Sequence, residues 1–340
     1  MDITMTLQLV AMLVLILVAA EVFTNALEHL GERLRISEGV TGSLFAAVGT
    51  AMPESMVPLL ALFAGTESAQ VNQEIGVGAI LGAPLMLSTL SLGLMSLSVT
   101  RQRGLAGKLA PERTGISRDL NFFLLAFAIA ASVLFLPKEP HYFMTLRAFL
   151  ASTLVLLYFF YVMLTLEVSA QLVKEGHGTQ AHTVMLLCRV GLPDHMAVIV
   201  LQILLGLALL IAGAEGFIHG IEAVSKALGV SALLLSLLII PIATELPEKV
   251  NSILWIRRRK DTLAFGNITG AMVFQGTILP AIGILLTPWD LRVEVLVGIA
   301  ITLLAALWLR ILLLAGYFRI WDLMVNGALY VAYLILMLGL

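Results

Sequence analysis

Two apolar stretches of the chain are interrupted by nearly the same five residues, Thr50-Ala51-Met52-Pro53-Glu54 and Thr244-Glu245-Leu246-Pro247-Glu248. The copies lie 194 residues apart (244 − 50) and share Thr, Pro and Glu at matching positions. A carboxylate beside a helix-breaking proline is costly inside a bilayer, and such residues usually serve function. Matching interruptions in two half-sequences predict a transporter built from repeats, with its ion site where the halves meet.

The composition indicates an integral membrane protein. Hydrophobic residues make up 60% of the 340 residues, charged residues only 12%, and the mean hydropathy is +1.01. Soluble domains carry about 25% charged residues. We therefore expect the lipid bilayer and inorganic cations as partners, without nucleic acid, cofactor or obligatory protein partner. The sequence lacks His-Glu-x-x-His, paired-Asp and Gly-x-Ser-x-Gly motifs, which argues against an intramembrane enzyme.

Ten segments are long enough to cross about 30 Å of hydrocarbon, which needs roughly 20 residues. They lie near 6–26, 39–64, 76–99, 119–136, 147–171, 196–218, 230–255, 263–287, 293–313 and 320–339. Gly, Pro, Thr or Glu interrupts the second, third, seventh and eighth, and we expect helices 2 and 7 to be discontinuous. The predicted fold is an all-α integral membrane protein with ten transmembrane helices.

The basic residues orient these spans. Of the 20 Lys and Arg residues, 15 fall in one set of loops, four in the other set, and Lys249 lies within a span. The positive-inside rule assigns the richer set to the cytoplasm. We therefore expect a multi-pass protein of the plasma or inner membrane, with both termini outside the cytoplasm.

The two halves correspond over more than the motifs. Glu21 matches Glu215 at the same offset, and the glycine segment from Gly78 matches the one from Gly266 at an offset of 188 (266 − 78). Five spans per half is an odd number, so the second half enters the membrane from the opposite side. We predict two inverted five-helix repeats, 1–172 and 195–340, joined by a cytoplasmic linker, 173–194.

The motifs supply hard oxygen ligands. A proline removes one helical hydrogen bond, so freed carbonyls, the Thr50 and Thr244 hydroxyls and the Glu54 and Glu248 carboxylates could converge on a cation. Such ligands suit sodium, calcium or magnesium, whereas the motifs contain no Cys or His, the usual ligands of copper and zinc. Gln275, in the eighth span, either faces this site or bonds to a neighbouring helix.

Glu245 has no acidic counterpart in the first half, where Ala51 stands. It could bind cation beside Glu248, or pair with Lys249 four residues later. If Glu245 and Lys249 cancel, Glu54 and Glu248 leave a charge of −2, which suits one divalent cation or two protons. If Lys249 instead extends to the cytoplasmic side, the charge becomes −3.

These residues resemble the calcium/cation antiporter superfamily, in particular its sodium/calcium exchanger type. That family has two repeats, each with a Gly-Thr-Ser-x-Pro-Glu segment followed by a glycine-rich segment. The resemblance implies that Glu54 and Glu248 are the central cation ligands. It also implies that Thr50 and Thr244, with carbonyls near Ala47 and Ile242, add oxygens, and that helices 1 and 6 slide across a fixed core.

The chain departs from that family at several ligand positions. Ala51 and Glu245 replace the serines after the threonines, and Ala83 and Ala271 replace those of the glycine segments. The position of an expected Asn or Asp is taken by Leu87 in the first half and by Gln275 in the second. These departures leave the counter-ion and its stoichiometry open.

We therefore expect a secondary antiporter that exchanges a divalent cation, first of all calcium, for sodium or protons by alternating access. The alternatives are a transporter that is proton-coupled or specific for another divalent ion such as magnesium or manganese, and a non-transporting cation sensor of the same fold.

Overall fold

The computed structural model describes residues 3–33, 47–136, 140–173, 184–316 and 318–339, and the fold within these ranges is helical. The helices are α1 (Ile3–Arg33), α2 (Ala47–Ala64), α3 (Ala69–Met86), α4 (Leu92–Arg103), α5 (Arg113–Ser132), α6 (Pro140–Val173), α7 (Leu186–Arg189), α8 (Met196–Leu228), α9 (Ala232–Thr244), α10 (Leu246–Arg257), α11 (Asp261–Leu286), α12 (Val293–Ala315) and α13 (Ile320–Gly339). Two short strands, β1 (Lys108–Leu109) and β2 (Phe318–Arg319), pair antiparallel.

Eight of the described helical segments are long and apolar enough to cross a membrane. They match the first, third to sixth and eighth to tenth predicted spans, so the protein is a multi-pass membrane protein. The second and seventh predicted spans correspond to shorter apolar helices, Glu54–Ala64 and Ala232–Ile242. Their count as full spans, and the inverted arrangement, stay predictions.

The chain forms two compact units. The first contains Met1–Asn72 and Phe159–Gly229, and the second contains Gln73–Tyr158 and Val230–Leu340. Each unit takes residues from both halves of the sequence, and the predicted division into two repeats stays a prediction. Residues 174–183 of the predicted linker lie outside the described ranges.

Small residues bring α1 and α8 together in the first unit. Gly206, Gly213 and Gly220 recur every seven residues, so they share one face of α8. A Cβ atom on Gly206 would come within 2.9 Å of Phe23, and one on Gly213 within 2.9 Å of Ile16. The two helices are therefore in close contact along this face.

A buried amide pair fixes the end of the linker to this helix pair. Gln202 Nε2 donates to Asn25 Oδ1 at 2.8 Å and to the Val22 carbonyl at 3.0 Å. The main-chain N–H of Leu186 donates to Asn25 Oδ1 at 3.0 Å, and that of Leu187 to Gln202 Oε1 at 2.9 Å. The two amides thus satisfy donors at the start of α7 that would otherwise lack helical partners.

In the second unit, the third predicted span bends at a π-helical turn, Leu87–Ser91, between α3 and α4. Asn326 Nδ2 donates to the Ser88 carbonyl at 2.7 Å and to the Ala305 carbonyl at 3.2 Å. An external donor on the Ser88 carbonyl compensates for the altered helical hydrogen bonds of a π turn. The helical segment nevertheless continues from Ala69 to Arg103, so this turn alters the span without breaking it.

The start of α9 is fixed by Glu74. Its carboxylate accepts from the Leu233 N–H at 3.3 Å and from Arg292 Nη1 at 2.7 Å, while Arg292 Nη2 donates to Glu294 at 3.1 Å. Partial burial lowers the pKa of Arg292, but the hydrogen bonds to Glu74 and Glu294 outweigh it and raise the pKa above its usual value. The negative charge at the start of α9 also suits the helix dipole.

Glycines of α3 allow close approach to α9. A Cβ atom on Gly78 would lie 2.8 Å from the Leu233 carbonyl oxygen, and one on Gly82 would lie 2.5 Å from that of Leu237. Gly266 differs, because a Cβ atom there would meet nothing within 4 Å. The four-residue spacing of Gly78 and Gly82, and the matching segment from Gly266, predict close helix packing. This prediction is confirmed for Gly78 and Gly82 and is wrong for Gly266, whose described surroundings leave room for a side chain.

Gly82→Ala should therefore destabilise the protein, whereas Gly266→Ala should change its stability little. The added methyl group at position 82 meets rigid backbone, and overpacking of this kind costs about 1–3 kcal/mol. Thermal unfolding of both variants in detergent is the measurement. Equal melting temperatures for the two variants would contradict the packing of α3 against α9.

Candidate cation site

The second motif lies at a break between α9 and α10. α9 ends at Thr244 and α10 begins at Leu246, while Glu245 between them adopts φ −89° and ψ 3°. Pro241 and Pro247 lie on either side of the break, and neither has an N–H to donate. Pro247 thereby deprives the Ala243 carbonyl of its helical donor, so a main-chain oxygen is freed next to the acidic residues.

The polar side chains of this break are buried. Relative exposure is 2% for Thr244, 0% for Glu245 and 3% for Glu248. The Thr244 hydroxyl donates to the Ile240 carbonyl at 3.2 Å. Two carboxylates in such surroundings need counter-charge or hydrogen bonds, because a buried charge without them is very costly.

Gln275 of α11 faces this break. Its Nε2 donates to Glu245 Oε1 at 2.6 Å, and both side chains are fully buried. The sequence left open whether Gln275 faces the cation site or bonds to a neighbouring segment. The structure shows the bond to Glu245, and a place for Gln275 in a cation site stays a prediction. The contact holds Glu245 in place across 30 residues of sequence.

Lys249 is buried in the same place, at 5% exposure. Its Nζ donates to the Pro241 carbonyl at 2.7 Å and to Met86 Sδ at 2.9 Å. The ammonium group is thus directed back towards α9, away from the basic end of α10 at Arg257. The alternative in which Lys249 extends to the cytoplasmic side is wrong, because the Pro241 carbonyl offers a closer acceptor.

Asn267 supports Glu248 through the main chain. Its Nδ2 donates to the Glu248 carbonyl at 3.1 Å and to Ser252 Oγ at 2.9 Å. Sequence analysis did not select Asn267, although it directly follows Gly266, the first residue of the matched glycine segment.

Another buried carboxylate, that of Asp119, connects α11 to α5. Asp119 Oδ2 accepts from the Thr269 hydroxyl at 2.7 Å, and Arg118 Nε lies 3.7 Å from Asp119 Oδ1. The sequence analysis did not identify Asp119 as a candidate residue either. The feature that could have identified it is a single acidic residue at the start of an otherwise apolar span. The contact orients the helix that supplies Gln275 and Asn267.

The first motif belongs to the first unit and differs in structure. α2 runs without a break from Ala47 through Pro53 to Ala64, and Glu54 is buried at 3% exposure. The expected discontinuity of helix 2 is therefore absent from residues 47–64, while residues 34–46 lie outside the described ranges. Each proline removes one hydrogen bond and can bend a helix without ending it, and α2 continues through both Pro53 and Pro58.

The remaining predicted ligands have different surroundings. Ala47 begins α2, and the side chains of Ala47 and Thr50 lie outside the described part of the structure. Ile242 lies in the last turn of α9 with 47% exposure. The structure thus brings Gln275 into contact with Glu245 in the second unit, with Thr244 and Glu248 buried nearby in the sequence, and it describes Glu54 separately in the first.

The chemistry of the break suits a hard cation. It offers carboxylate, hydroxyl, amide and main-chain oxygens. Among the described residues, no group of three or more His, Cys, Asp or Glu side chains is arranged to hold a metal ion. A cation at this break would therefore need neutral oxygens as well as carboxylates.

One known protein resembles this chain in sequence, and two solved structures resemble it in fold. The inner membrane protein YrbG of Escherichia coli K12 is 27% identical over 335 residues, covering 92% of this chain and 94% of that protein. The structure of the H⁺/Ca²⁺ exchanger CAX matches with a TM-score of 0.71 and 19% identity, covering 98% of this chain and 82% of that one. The sodium-calcium exchanger NCX_Mj, soaked with 100 mM Na⁺ and 10 mM Sr²⁺, matches with a TM-score of 0.59 and 18% identity, covering 98% of both chains.

The family profile described as "Sodium/calcium exchanger protein" matches residues 4–166 and 198–339. These segments include both motifs, the break at Glu245 and most of the described helices. The protein therefore belongs to the sodium/calcium exchanger protein family, a family of membrane cation antiporters.

Proposed function

We propose that the protein is a secondary antiporter that exchanges a divalent cation, with calcium as the first candidate, for sodium or protons. The observation that carries this proposal is the buried helix break at Glu245, where two carboxylates and a freed carbonyl meet in a membrane-embedded chain. Buried carboxylates at a broken membrane helix are characteristic of ion sites. The named relatives, a H⁺/Ca²⁺ exchanger and a sodium-calcium exchanger, support calcium as the first ion to test.

Glu54 and Glu248 are the proposed central ligands of the transported cation. Both are buried carboxylates at matching positions of the two motifs, and together they supply two negative charges, which match one divalent cation. Thr50, Thr244 and the carbonyls of Ala47 and Ile242 supply the further oxygens that calcium requires. Gln275 donates to Glu245 in the second motif and supplies an amide oxygen there.

The proposed arrangement in the membrane follows from the sequence. Ten spans form two inverted five-helix repeats, 1–172 and 195–340, with the linker 173–194 in the cytoplasm and both termini outside. The protein lies in the plasma or inner membrane. Two inverted repeats provide two related states, one open to each side, as alternating access requires.

Calcium flux in proteoliposomes tests this function. Vesicles loaded with calcium should release it when an inward sodium or proton gradient is imposed, and the gradient that drives release identifies the counter-ion. Magnesium and manganese loaded in the same way test the other divalent ions. Absence of counterflow with every gradient, in protein that still melts cooperatively, contradicts the proposal; cation binding without flux would then identify a sensor.

A further inference from the structure

The ammonium group of Lys249 occupies a position that a monovalent cation could take. The main-chain carbonyl of Pro241, which also accepts the helical Glu245 N–H at 3.2 Å, accepts its hydrogen bond at 2.7 Å, and the Met86 thioether lies at 2.9 Å. Main-chain carbonyls at broken membrane helices are the usual ligands of sodium and potassium ions. An ammonium group is a compact single charge that seeks the same oxygens.

The surroundings require a positive charge at this point. Glu245 and Glu248 are buried at 0% and 3% exposure, and Lys249 is the basic residue within the same turn of α10. Gln275 donates an amide N–H to Glu245, which is a neutral contact and supplies no positive charge. One lysine beside two glutamates leaves a net charge of −1 when all three are ionised.

We infer that Lys249 is a built-in monovalent cation, which excludes a free sodium or potassium ion from the Pro241 carbonyl. As a consequence, the second motif binds one free monovalent ion fewer than its oxygens could hold. This consequence for ion exchange rests on the proposed function. Lys249 therefore limits which ions, and how many, the protein exchanges. Lys249 directly follows Glu248, so its positive charge helps the second motif to accommodate two buried glutamates.

Replacement of the ammonium group by an ion from solution tests the inference. Lys249→Ala leaves the Pro241 carbonyl and the two carboxylates without their fixed cation and opens space for an ion. Its melting temperature in detergent, with a calcium chelator present, should rise saturably by several degrees in ammonium, sodium or potassium chloride. The reference is N-methyl-D-glucamine chloride at equal ionic strength, because that cation is too large to enter. A ligand that binds only the folded state stabilises it in this saturable way.

Three further proteins complete the experiment. The wild type should show a smaller response to these ions, and so should Lys226→Ala, a control at a lysine whose side chain is 71% exposed. Lys249→Gln restores a donor to the Pro241 carbonyl but not the charge, so its response should lie between those of the wild type and Lys249→Ala. It also serves if the alanine variant does not fold.

If the responses of both Lys249 variants equal that of the wild type, the inference is wrong and the lysine only stabilises the fold. Melting temperatures need no transport, so this result is independent of the proposed exchange. A chain that fails to move calcium yet gains a cation response in Lys249→Ala would refute the proposed function and leave the inference standing.

Discussion

Glu248→Gln should abolish gradient-driven calcium release from proteoliposomes. The substitution keeps the shape of the side chain but removes its negative charge, so one charged ligand of the cation is lost. Loss of one partner from a buried ionic contact costs about 3–5 kcal/mol, and 3 kcal/mol corresponds to about a 100-fold loss of rate or affinity. The Asn267 contact to the Glu248 main chain remains, so the protein should still fold.

Glu54→Gln should have the same effect, because the proposal gives Glu54 the corresponding role in the first unit. Glu67→Gln is the matched control, since Glu67 is exposed in the turn between α2 and α3. Its flux should equal that of the wild type. Full calcium release by either Glu54→Gln or Glu248→Gln would refute the assignment of these carboxylates.

The sequence predicted the membrane class and eight of the long spans, because these depend on local composition. It also predicted the family, because both motifs are present in the expected order. Mean hydropathy alone places apolar segments, since every backbone polar group within lipid must be satisfied inside its own helix. The glycines were harder to interpret. Gly82 and Gly266 occupy comparable segments, yet only Gly82 touches the backbone of a neighbouring helix.

The motif pair shows why similar sequences need not give the same local structure. Both copies contain Pro and Glu, yet the described helix breaks only at the second. Pro241 lies six residues before Pro247, and its counterpart at the offset of 194 is Ala47. The number of prolines does not explain this difference, because α2 continues through both Pro53 and Pro58. Pro247 instead lies in the first turn of α10, where a missing N–H is tolerated, so a helix can begin there.

Side-chain partners distant in sequence were beyond prediction. Lys249 meets Met86 across 163 residues, and Asp119 meets Thr269 across 150. For Lys249, the sequence indicated only Glu245 or the membrane surface as partners, because helical spacing identifies neighbours on the same helix. A main-chain carbonyl near a helix break can be predicted as a hydrogen-bond acceptor only when the position of the break is known.

Arg147→Met should lower the free energy of unfolding by about 3–5 kcal/mol, the largest stability effect expected here. Arg147 is 5% exposed, and its guanidinium donates to main-chain carbonyls at the end of α11: those of Ile284 at 2.8 Å, Thr287, and Pro288 at 3.1 Å. The last carbonyls of a helix have no helical donors. Methionine fills the space but leaves these buried oxygens without the donors that Arg147 supplies.

Thermal unfolding in detergent measures this loss, with Arg258→Met as the control because Arg258 is exposed at the end of α10. Arg147→Lys should be intermediate, since it keeps the charge but offers fewer donors in a different geometry. α11 also supplies Gln275 and Asn267 to the second motif, so a loosened C-terminal end should reduce calcium flux as well as stability. Wild-type stability in Arg147→Met would show that these carbonyls find other donors, and that the guanidinium does not hold α11 in place.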